Sequence, residues 1–282
     1  MDFPSYVPQS DVLKEFIQFY YFLETDYQQP VRFFAFPHYD KPLNIHRGIK
    51  YSVSEREIAV EGAGMYNPQI LLQGVYQEPI LVRFSGKIHK ITIIFRDGGL
   101  CNFIDEYFVD VAAAHSQLFS SWEKKPHYAT FMKAFFEAGE HSEQIKILED
   151  FLLSVLNIKK DWELYKKASA LLKDVDSNYK ISEIARQLFL SEKTLHRLVF
   201  KYNGLSPHNF KKIVQFRHSL QTKVLADKFQ SLTDIAYNSN YYDASYFNKI
   251  YKSLTLKSPK EFFKQVNLYC DNKVVFAWQK NV

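Results

Sequence analysis

Two groups of residues occupy corresponding places in the second half of the chain and could contact nucleic acid. They are Glu192, Lys193, His196 and Arg197 in the first group and Ala244, Ser245, Asn248 and Lys249 in the second. Asparagine can bond both edge atoms of adenine, and arginine or lysine can bond guanine. If each group lies near the start of a helix, its side chains can reach base edges in the major groove. The chemistry predicted is recognition of duplex DNA.

An internal repeat with a period of about 51 residues contains both groups. Residues 182–185 match residues 233–236, and the Ser-Pro pair at 206–207 recurs at 258–259. A repeat of this kind predicts that one structural unit occurs twice.

Each copy has the pattern of a helix, a tight turn and a second helix. An Ile-Ala pair indicates a short first helix, and its small alanine lets another helix cross closely. Ser191 and Asp243 are good caps for the second helix of each copy. The apolar positions predicted to face inward on the second helices are Leu195, Leu198, Phe247 and Ile250.

Charge is divided unevenly along the chain. Residues 161–282 contain 20 Lys or Arg against 11 Asp or Glu, a net charge of +9, whereas the whole chain carries +5. Residues 1–160 therefore carry −4. A basic half beside a mildly acidic half is typical of a nucleic-acid-binding domain joined to a second domain.

Residues 165–263 resemble the AraC family of bacterial transcription regulators. The first copy of the family pattern runs from Ile184-Ala185 to Ser206-Pro207, and the second from Ile235-Ala236 to Ser258-Pro259. The chain departs from the pattern at Val199, which replaces an aromatic residue, and at Asn240 and Leu256, which replace glycines. None of the three is a predicted groove-facing position, and asparagine tolerates the left-handed backbone of a turn.

The resemblance implies a sequence-specific DNA-binding regulator, either an activator or a repressor, that binds double-stranded DNA. It also implies a helix at residues 210–217 that joins the two units. Lysines predicted to contact phosphates are Lys201, Lys211, Lys212 and Lys252. For Arg217 we favour a structural ion pair within the domain over a DNA contact.

The first half of the chain has the pattern of a small β-domain. β-rich runs separated by Gly and Pro predict strands at residues 31–36, 43–46, 70–72, 80–84 and 88–95. Residues 11–23 fit either a strand or a helix, and beyond residue 161 the chain reads as entirely helical. We therefore expect an α+β fold, with a β-rich, barrel-like regulatory and dimerisation domain at 1–160 and an all-α DNA-binding domain at 161–282.

By its position, the first half corresponds to the family's regulatory domain, which senses a small molecule, dimerises, or both. No residue identifies an effector, and we expect no metal or other cofactor. His38, His46 and His89 lack the spacing of a metal site and are predicted to be surface or satisfied core residues. RNA polymerase is a further partner consistent with such a regulator.

A predicted amphipathic helix at residues 142–158 lies just before the basic half. Its apolar stripe contains Ile145, Leu148, Leu152 and Val155. The stripe either packs on its own domain or forms part of a dimer seam, and a homodimer is expected.

Other classes of protein have less support. The chain has no apolar run long enough to cross a bilayer and no signal-peptide pattern, so we expect a cytoplasmic protein without a membrane contact. Motifs for phosphate loops, nucleophile elbows and zinc proteases are absent. Two alternatives stay open: a helical protein-interaction module, and an enzyme in the N-terminal β-domain fused to a DNA-binding domain.

Overall fold

The computed structural model describes residues 3–54, 56–112, 116–177, 179–225, 231–270 and 274–278. The strands are β1 (Ser5–Tyr6), β2 (Ile17–Ala35), β3 (Lys41–His46), β4 (Ile49–Val53), β5 (Glu57–Gly62), β6 (Gln69–Leu72), β7 (Ile80–Phe95), β8 (Gln117–Leu118), β9 (Asn267–Tyr269) and β10 (Val274–Trp278). The α-helices are α1 (Asp11–Lys14), α2 (Phe108–Ala112), α3 (Tyr128–Glu137), α4 (His141–Val155), α5 (Trp162–Lys173), α6 (Ile181–Gln187), α7 (Glu192–Asn203), α8 (Pro207–Leu225), α9 (Leu232–Asn238), α10 (Ala244–Thr255) and α11 (Pro259–Gln265).

Two long antiparallel strands, β2 and β7, form the centre of the N-terminal sheet. Their register runs from Ile17 opposite Phe95 to Ala35 opposite Ile80. Strand β3 pairs with the second part of β7, and β5 pairs in parallel with its first part. The sheet curls without closing into a barrel, which agrees with the β-rich, barrel-like N-terminal region predicted from the sequence.

Alternation along β7 gives the sheet two differently packed faces, because successive side chains point to opposite sides. Ile91 and Ile93 join the larger core beneath the helices, whereas Ile88 and Ile94 join a second core inside the curled sheet. Lys90 lies on the same side as Ile88 and Ile94, and it lines a cavity there.

The structure joins two of the predicted strands into one. Residues 80–84 and 88–95 both belong to β7, because Gly86 at φ 67° continues the strand through an irregular point in its pairing with β2. The ambiguous residues 11–23 divide into helix α1 and the beginning of β2. Strands β4 and β5 were not predicted, although both alternate buried and more exposed residues.

The apolar stripe of α4 packs inside the protein. The side chains of Ile145, Leu148, Leu152 and Val155 are between 0% and 7% exposed and belong to the larger core. Leu153, on the opposite side of the helix, is 40% exposed. The hypothesis that this stripe forms a dimer seam is therefore wrong, because its side chains already contact their own chain.

The chain beyond residue 161 is not entirely helical. After α11 ends at Gln265, β9 and β10 pair with each other, and β10 adds to the N-terminal sheet with Phe276 opposite Ala35 and Trp278 opposite Phe33. The run of valine and aromatic residues in β10 is typical of a strand. The sequence analysis missed β10 because the segments before it are helical. Its partner β2 lies more than 200 residues earlier, so no nearby strand indicated a sheet.

A buried polar cluster joins the sheet to α5. The Asp97 carboxylate accepts hydrogen bonds from the hydroxyls of Tyr165 and Ser169 and forms an ion pair of 2.6 Å with Lys173. The Tyr165 ring in turn stacks on Tyr202 of α7, with ring centroids 4.1 Å apart. The two halves thus share one core, and the proposed boundary near residue 160 is a division of sequence within it.

Candidate nucleic-acid interface

The first helix-turn-helix unit consists of α6 and α7. The Ser191 hydroxyl caps α7 by accepting a hydrogen bond of 3.1 Å from the backbone N–H of Thr194. Between the helices, Phe189 adopts a left-handed backbone with φ 56° and leaves its ring 97% exposed. The cap and the turn together fix where α7 begins, as its sequence predicted.

The sides of α7 divide cleanly between core and solvent. Leu195, Leu198 and Val199 are at most 5% exposed and hold the helix against the core. The four predicted base-reading residues are all exposed in the first two turns: Glu192, Lys193, His196 and Arg197. This arrangement leaves the N-terminal part of the helix free to enter a groove.

The second unit repeats the arrangement with α9 and α10. Ser231 and Asp234 form a reciprocal capping box at the start of α9. Asp243 caps α10, since its Oδ1 accepts a hydrogen bond of 2.7 Å from the Tyr246 N–H. Asn240 occupies the turn in the left-handed region at φ 54°, and its side-chain amide donates to the Val175 carbonyl at 2.5 Å.

On α10, the predicted groove-facing side chains are smaller and less charged than those of α7. Phe247 and Ile250 are buried, at 2% and 4% exposed. The exposed predicted residues are Ala244, Ser245, Asn248 and Lys249. The Asn248 amide donates to the Ala244 carbonyl at 2.8 Å, so it must leave this bond to contact a base through both edge atoms.

Comparison with known proteins agrees with this geometry. A family model described as a helix-turn-helix domain matches residues 184–265, from within α6 to the end of α11. The C-terminal region is an AraC-type helix-turn-helix domain. A chain that carries such a domain is a DNA-binding transcription regulator. Below, residues 181–265 are called the AraC-type domain.

Solved structures of ToxT from Vibrio cholerae resemble the chain more distantly. A P21 crystal form at 1.65 Å is 15% identical with a TM-score of 0.48, covering 94% of this chain and 98% of ToxT. A complex with (E)-4-(8-methylnaphthalen-1-yl)but-3-enoic acid is 14% identical with a TM-score of 0.46, covering 94% and 99%. ToxT bound to an unsaturated fatty acid is 14% identical with a TM-score of 0.45, covering 86% and 93%. Among curated protein sequences, none matches the chain.

Three of the four lysines predicted to contact phosphates are bound within the protein. Lys201 forms an ion pair with Asp161 and lies 4.4 Å from the centre of the Tyr107 ring. The Lys211 ammonium donates to a backbone carbonyl, and that of Lys212 donates to the Ser253 hydroxyl at 2.8 Å. Partial burial lowers the pKa of both Lys211 and Lys212.

The fourth of these lysines, Lys252, is exposed near the end of α10. It is the one among them whose ammonium has no hydrogen bond or ion pair within the described part of the chain. A phosphate contact by any of the four remains a prediction.

Arg217 has a different role from the one predicted. Its guanidinium lies buried on α8 of the AraC-type domain and donates to the backbone carbonyls of Pro37 and Phe36, each at 2.8 Å. The expected ion pair within the domain is absent from the described residues. Arg217 instead joins the helix between the two units to the N-terminal sheet, which sequence spacing could not reveal.

Exposed tyrosines beside the second unit were missed by sequence reasoning. Tyr242 directly precedes the cap of α10 and is 92% exposed, and Tyr237 on α9 is 81% exposed. Tyr242 lines a cleft between the two units together with Lys180, His208 and Lys211. The Tyr241-Tyr242 pair could have indicated an exposed ring, because two neighbouring side chains at this turn cannot both face the core. Tyr241 is the buried one and Tyr242 the exposed one.

The histidines predicted as surface or satisfied core residues are not all so. His38 Nδ1 accepts a hydrogen bond of 2.8 Å from the Asp40 N–H. His89 Nε2 lies 3.2 Å from a Glu24 carboxylate oxygen but makes no hydrogen bond within the described residues. His46, however, is 1% exposed, and its Nδ1 has no hydrogen-bond partner in the described structure. Within the same residues, no group of His, Cys, Asp or Glu has the arrangement of a metal site.

Within the described ranges, no helix combines the length and the apolar character that crossing a bilayer requires.

Proposed function

We propose that α7 and α10 read specific base pairs in two successive major grooves, and that the N-terminal sheet controls this binding. The observation that carries the proposal is that α7 and α10 both expose polar side chains in their first two turns and bury apolar side chains on the opposite side. Helices presented in this way can reach base edges while their caps hold them in place. Glu192, Lys193, His196, Arg197, Ala244, Ser245, Asn248 and Lys249 are the proposed base-facing residues.

Selection of bound fragments from random duplex DNA by the purified full chain tests the reading of bases. We expect one enriched sequence whose affinity falls steeply as salt concentration rises, because counterions are released from each contacted phosphate. Failure to enrich any sequence would contradict the proposal. Binding to a protein partner with little salt dependence would favour the alternative of a helical protein-interaction module.

Control through the N-terminal sheet is supported by contacts that link it to the first unit and to the helix between the units. Tyr202 at the end of α7 stacks on Tyr165 of α5, whose hydroxyl donates to Asp97 just after β7. Arg217 on α8 holds the loop after β2. A small-molecule effector bound within the sheet would act through these contacts. We propose binding rather than catalysis, because Cys101, the one thiol near this interface, is fully buried and burial raises its pKa to about 12.

We propose two further partners: a second copy of the chain, which would form a homodimer, and RNA polymerase. The proposed compartment is the cytoplasm. Two linked chains would bring four helix-turn-helix units to one operator and raise their effective concentration, commonly to the millimolar range for short linkers. Sedimentation velocity tests the dimer. A monomer at micromolar concentration, both free and on the selected DNA, would remove it.

A further inference from the structure

A cavity of about 120 Å³ lies inside the curled N-terminal sheet. Its walls are mainly apolar, with Phe33, Val82 and Ile94 among the lining side chains. Lys90 and His46 also line it, and they lie directly opposite each other on β7 and β3. The cavity therefore combines an apolar interior with a polar end.

Lys90 is a buried cation without a compensating anion. Its side chain donates one hydrogen bond of 2.8 Å to Asn44 Oδ1, and its Nζ lies 5.3 Å and 5.5 Å from the ring centres of Tyr21 and Phe84. Among the described residues, no carboxylate lies within 4 Å of this Nζ. Burial alone lowers its pKa to about 7.

Other charges on the wall do not neutralise Lys90. Asp40 also lines the cavity, but it lies close enough to Arg217 to favour the charged guanidinium there. Lys41, also buried, faces the opposite side of the sheet; its ammonium has no hydrogen-bond partner among the described residues, but Asp40 and Asp97 lie near enough to favour its charged form. No carboxylate favours the charged form of Lys90 in this way, and an unpaired buried charge is costly.

His46 supplies an independent indication of a ligand. Its side chain is almost fully buried, lines the same cavity, and has an Nδ1 without a hydrogen-bond partner in the described structure. Burial and the neighbouring Lys90 lower its pKa, so the imidazole is neutral. A neutral imidazole with a free nitrogen can donate one hydrogen bond beside the Lys90 ammonium.

We infer that the cavity binds a compact monoanion with a ring-sized apolar body, such as an aromatic monocarboxylate, whose head group contacts Lys90 and His46. Size limits the apolar body to a single ring, because an apolar cavity of about 150 Å³, somewhat larger than this one, holds a benzene molecule. Charge favours it too, since a single carboxylate would compensate the Lys90 ammonium. The inference rests on the proposed control by the N-terminal sheet and names its ligand.

Two walls of the cavity come from the second half of the chain. Val274 and Phe276 of β10 line it, and this hairpin begins two residues after α11 ends. Arg217 of α8 lines it as well. A ligand in the cavity would therefore contact elements covalently continuous with both the second unit and the helix that joins the units.

Isothermal titration of the full chain with benzoate tests the ligand class. We expect benzoate to bind at least tenfold more tightly than benzyl alcohol, which has a similar shape without the charge, and more tightly than octanoate, which is too long. Lys90→Met should weaken benzoate at least tenfold and leave benzyl alcohol unchanged. Lys87→Met, an exposed lysine on the same strand, should bind like wild type.

A second variant, His46→Leu, should also weaken benzoate while retaining the Lys90 charge, and thermal unfolding of each variant verifies that it folds. Equal affinity of wild type and Lys90→Met for benzoate would overturn the proposal. So would equal affinity of wild type for benzoate and benzyl alcohol, tighter binding of octanoate, or no binding of benzoate.

Fluorescence anisotropy with the selected DNA separates this inference from the proposed function. Benzoate should change the DNA affinity of wild type at least threefold and leave that of Lys90→Met unchanged. If DNA binds specifically but benzoate neither binds nor changes its affinity, the cavity proposal fails alone. If benzoate binds through Lys90 but no specific DNA is found, the proposed function fails instead.

Discussion

The eight residues proposed to face the bases differ in what each can recognise. On α7, Arg197 can form two parallel hydrogen bonds with guanine, whereas Glu192 can accept from cytosine. On α10, Asn248 and Lys249 offer adenine and guanine contacts from a face with little other charge. We therefore expect the specificity of the second unit to depend on fewer side chains.

Replacement of Arg197 or Lys249 by alanine should each cost about 1–3 kcal/mol of specific DNA affinity, because each loses a base contact of that size. Non-specific affinity should change less. The matched control is Lys146→Ala, which removes an exposed lysine from α4, outside both helix-turn-helix units. Anisotropy on selected and scrambled duplexes measures both affinities. Wild-type affinity in both alanine variants would mean that α7 and α10 are misassigned as recognition helices.

Lys90 should make stability depend on pH. In the folded protein its pKa is lowered to about 7, whereas the unfolded chain holds this proton up to about pH 10. Between these values the unfolded state binds more protons, so the free energy of unfolding rises with pH. The facing groups, His46 with its lowered pKa and Tyr21 with its raised pKa, remain neutral in this window.

Lys90→Met should consequently be more stable than wild type at pH 6, and this advantage should shrink by about 1–3 kcal/mol by pH 9.5. Urea denaturation at several pH values measures it, with Lys87→Met as the control. Parallel profiles for wild type and Lys90→Met would show that Lys90 keeps an ordinary pKa in the folded protein.

At the scale of elements, helix ends depend on a few backbone conformations. Leu256 ends α10 in the left-handed region at φ 59°, with its side chain 61% exposed. Glycine adopts this conformation without steric cost and is the usual residue at this position. The leucine therefore carries strain that no burial of its side chain offsets.

Leu256→Gly should stabilise the protein by about 0.5–1 kcal/mol, since relief of the backbone strain exceeds the extra entropy of glycine in the unfolded chain. Asn240→Gly is the informative comparison. It should give no gain, because Asn240 tolerates its φ of 54° and its amide donates to Val175. Chemical denaturation measures the free energy of unfolding of both variants. A lower value for Leu256→Gly than for wild type would argue against backbone strain at Leu256.

Helix α4 should contribute to the core of its own chain rather than to a dimer. Leu148→Ala should lower the free energy of unfolding by about 2–5 kcal/mol, as is usual when a buried leucine leaves a cavity. Leu153→Ala, on the exposed side of the same helix, should change it by less than about 0.5 kcal/mol. Similar small losses in both variants would show that the Leu148 side of α4 is not buried.

For the whole molecule, one core extends across the sheet, the helices and the AraC-type domain. The Asp97 cluster, the Tyr165–Tyr202 stack and the Arg217 contacts all cross from the first half to the second. Strand β10, from the second half of the chain, pairs with β2 in the N-terminal sheet. Elements that share buried surface to this extent lose stability together.

Unfolding should therefore be a single transition. Tryptophan fluorescence, which reports on Trp122, Trp162 and Trp278, should change at the same urea concentration as far-ultraviolet circular dichroism, which is dominated by the helices. Asp97→Ala should lower both midpoints together. Two separated transitions would contradict a shared core and would support independent domains that divide near residue 160.

The sequence by itself determined the features that depend on neighbouring residues. Ser191 and Asp243 cap helices through bonds to residues three positions later, and the apolar spacing in α7 and α10 decides which side faces inward. The family pattern then gave these units their DNA-binding role. Such interactions span one or two helical turns, so their residue types are visible in any short window of sequence.

Tertiary structure decided which distant elements meet. An apolar stripe such as that of α4 fits a core and a dimer seam equally well, and a buried arginine such as Arg217 does not reveal which carbonyls it will bind. The pairing of β10 with β2 and the isolation of Lys90 in the cavity depend on segments far apart in the chain. Periodicity shows that a surface must be covered, but the chain's three-dimensional path determines what covers it.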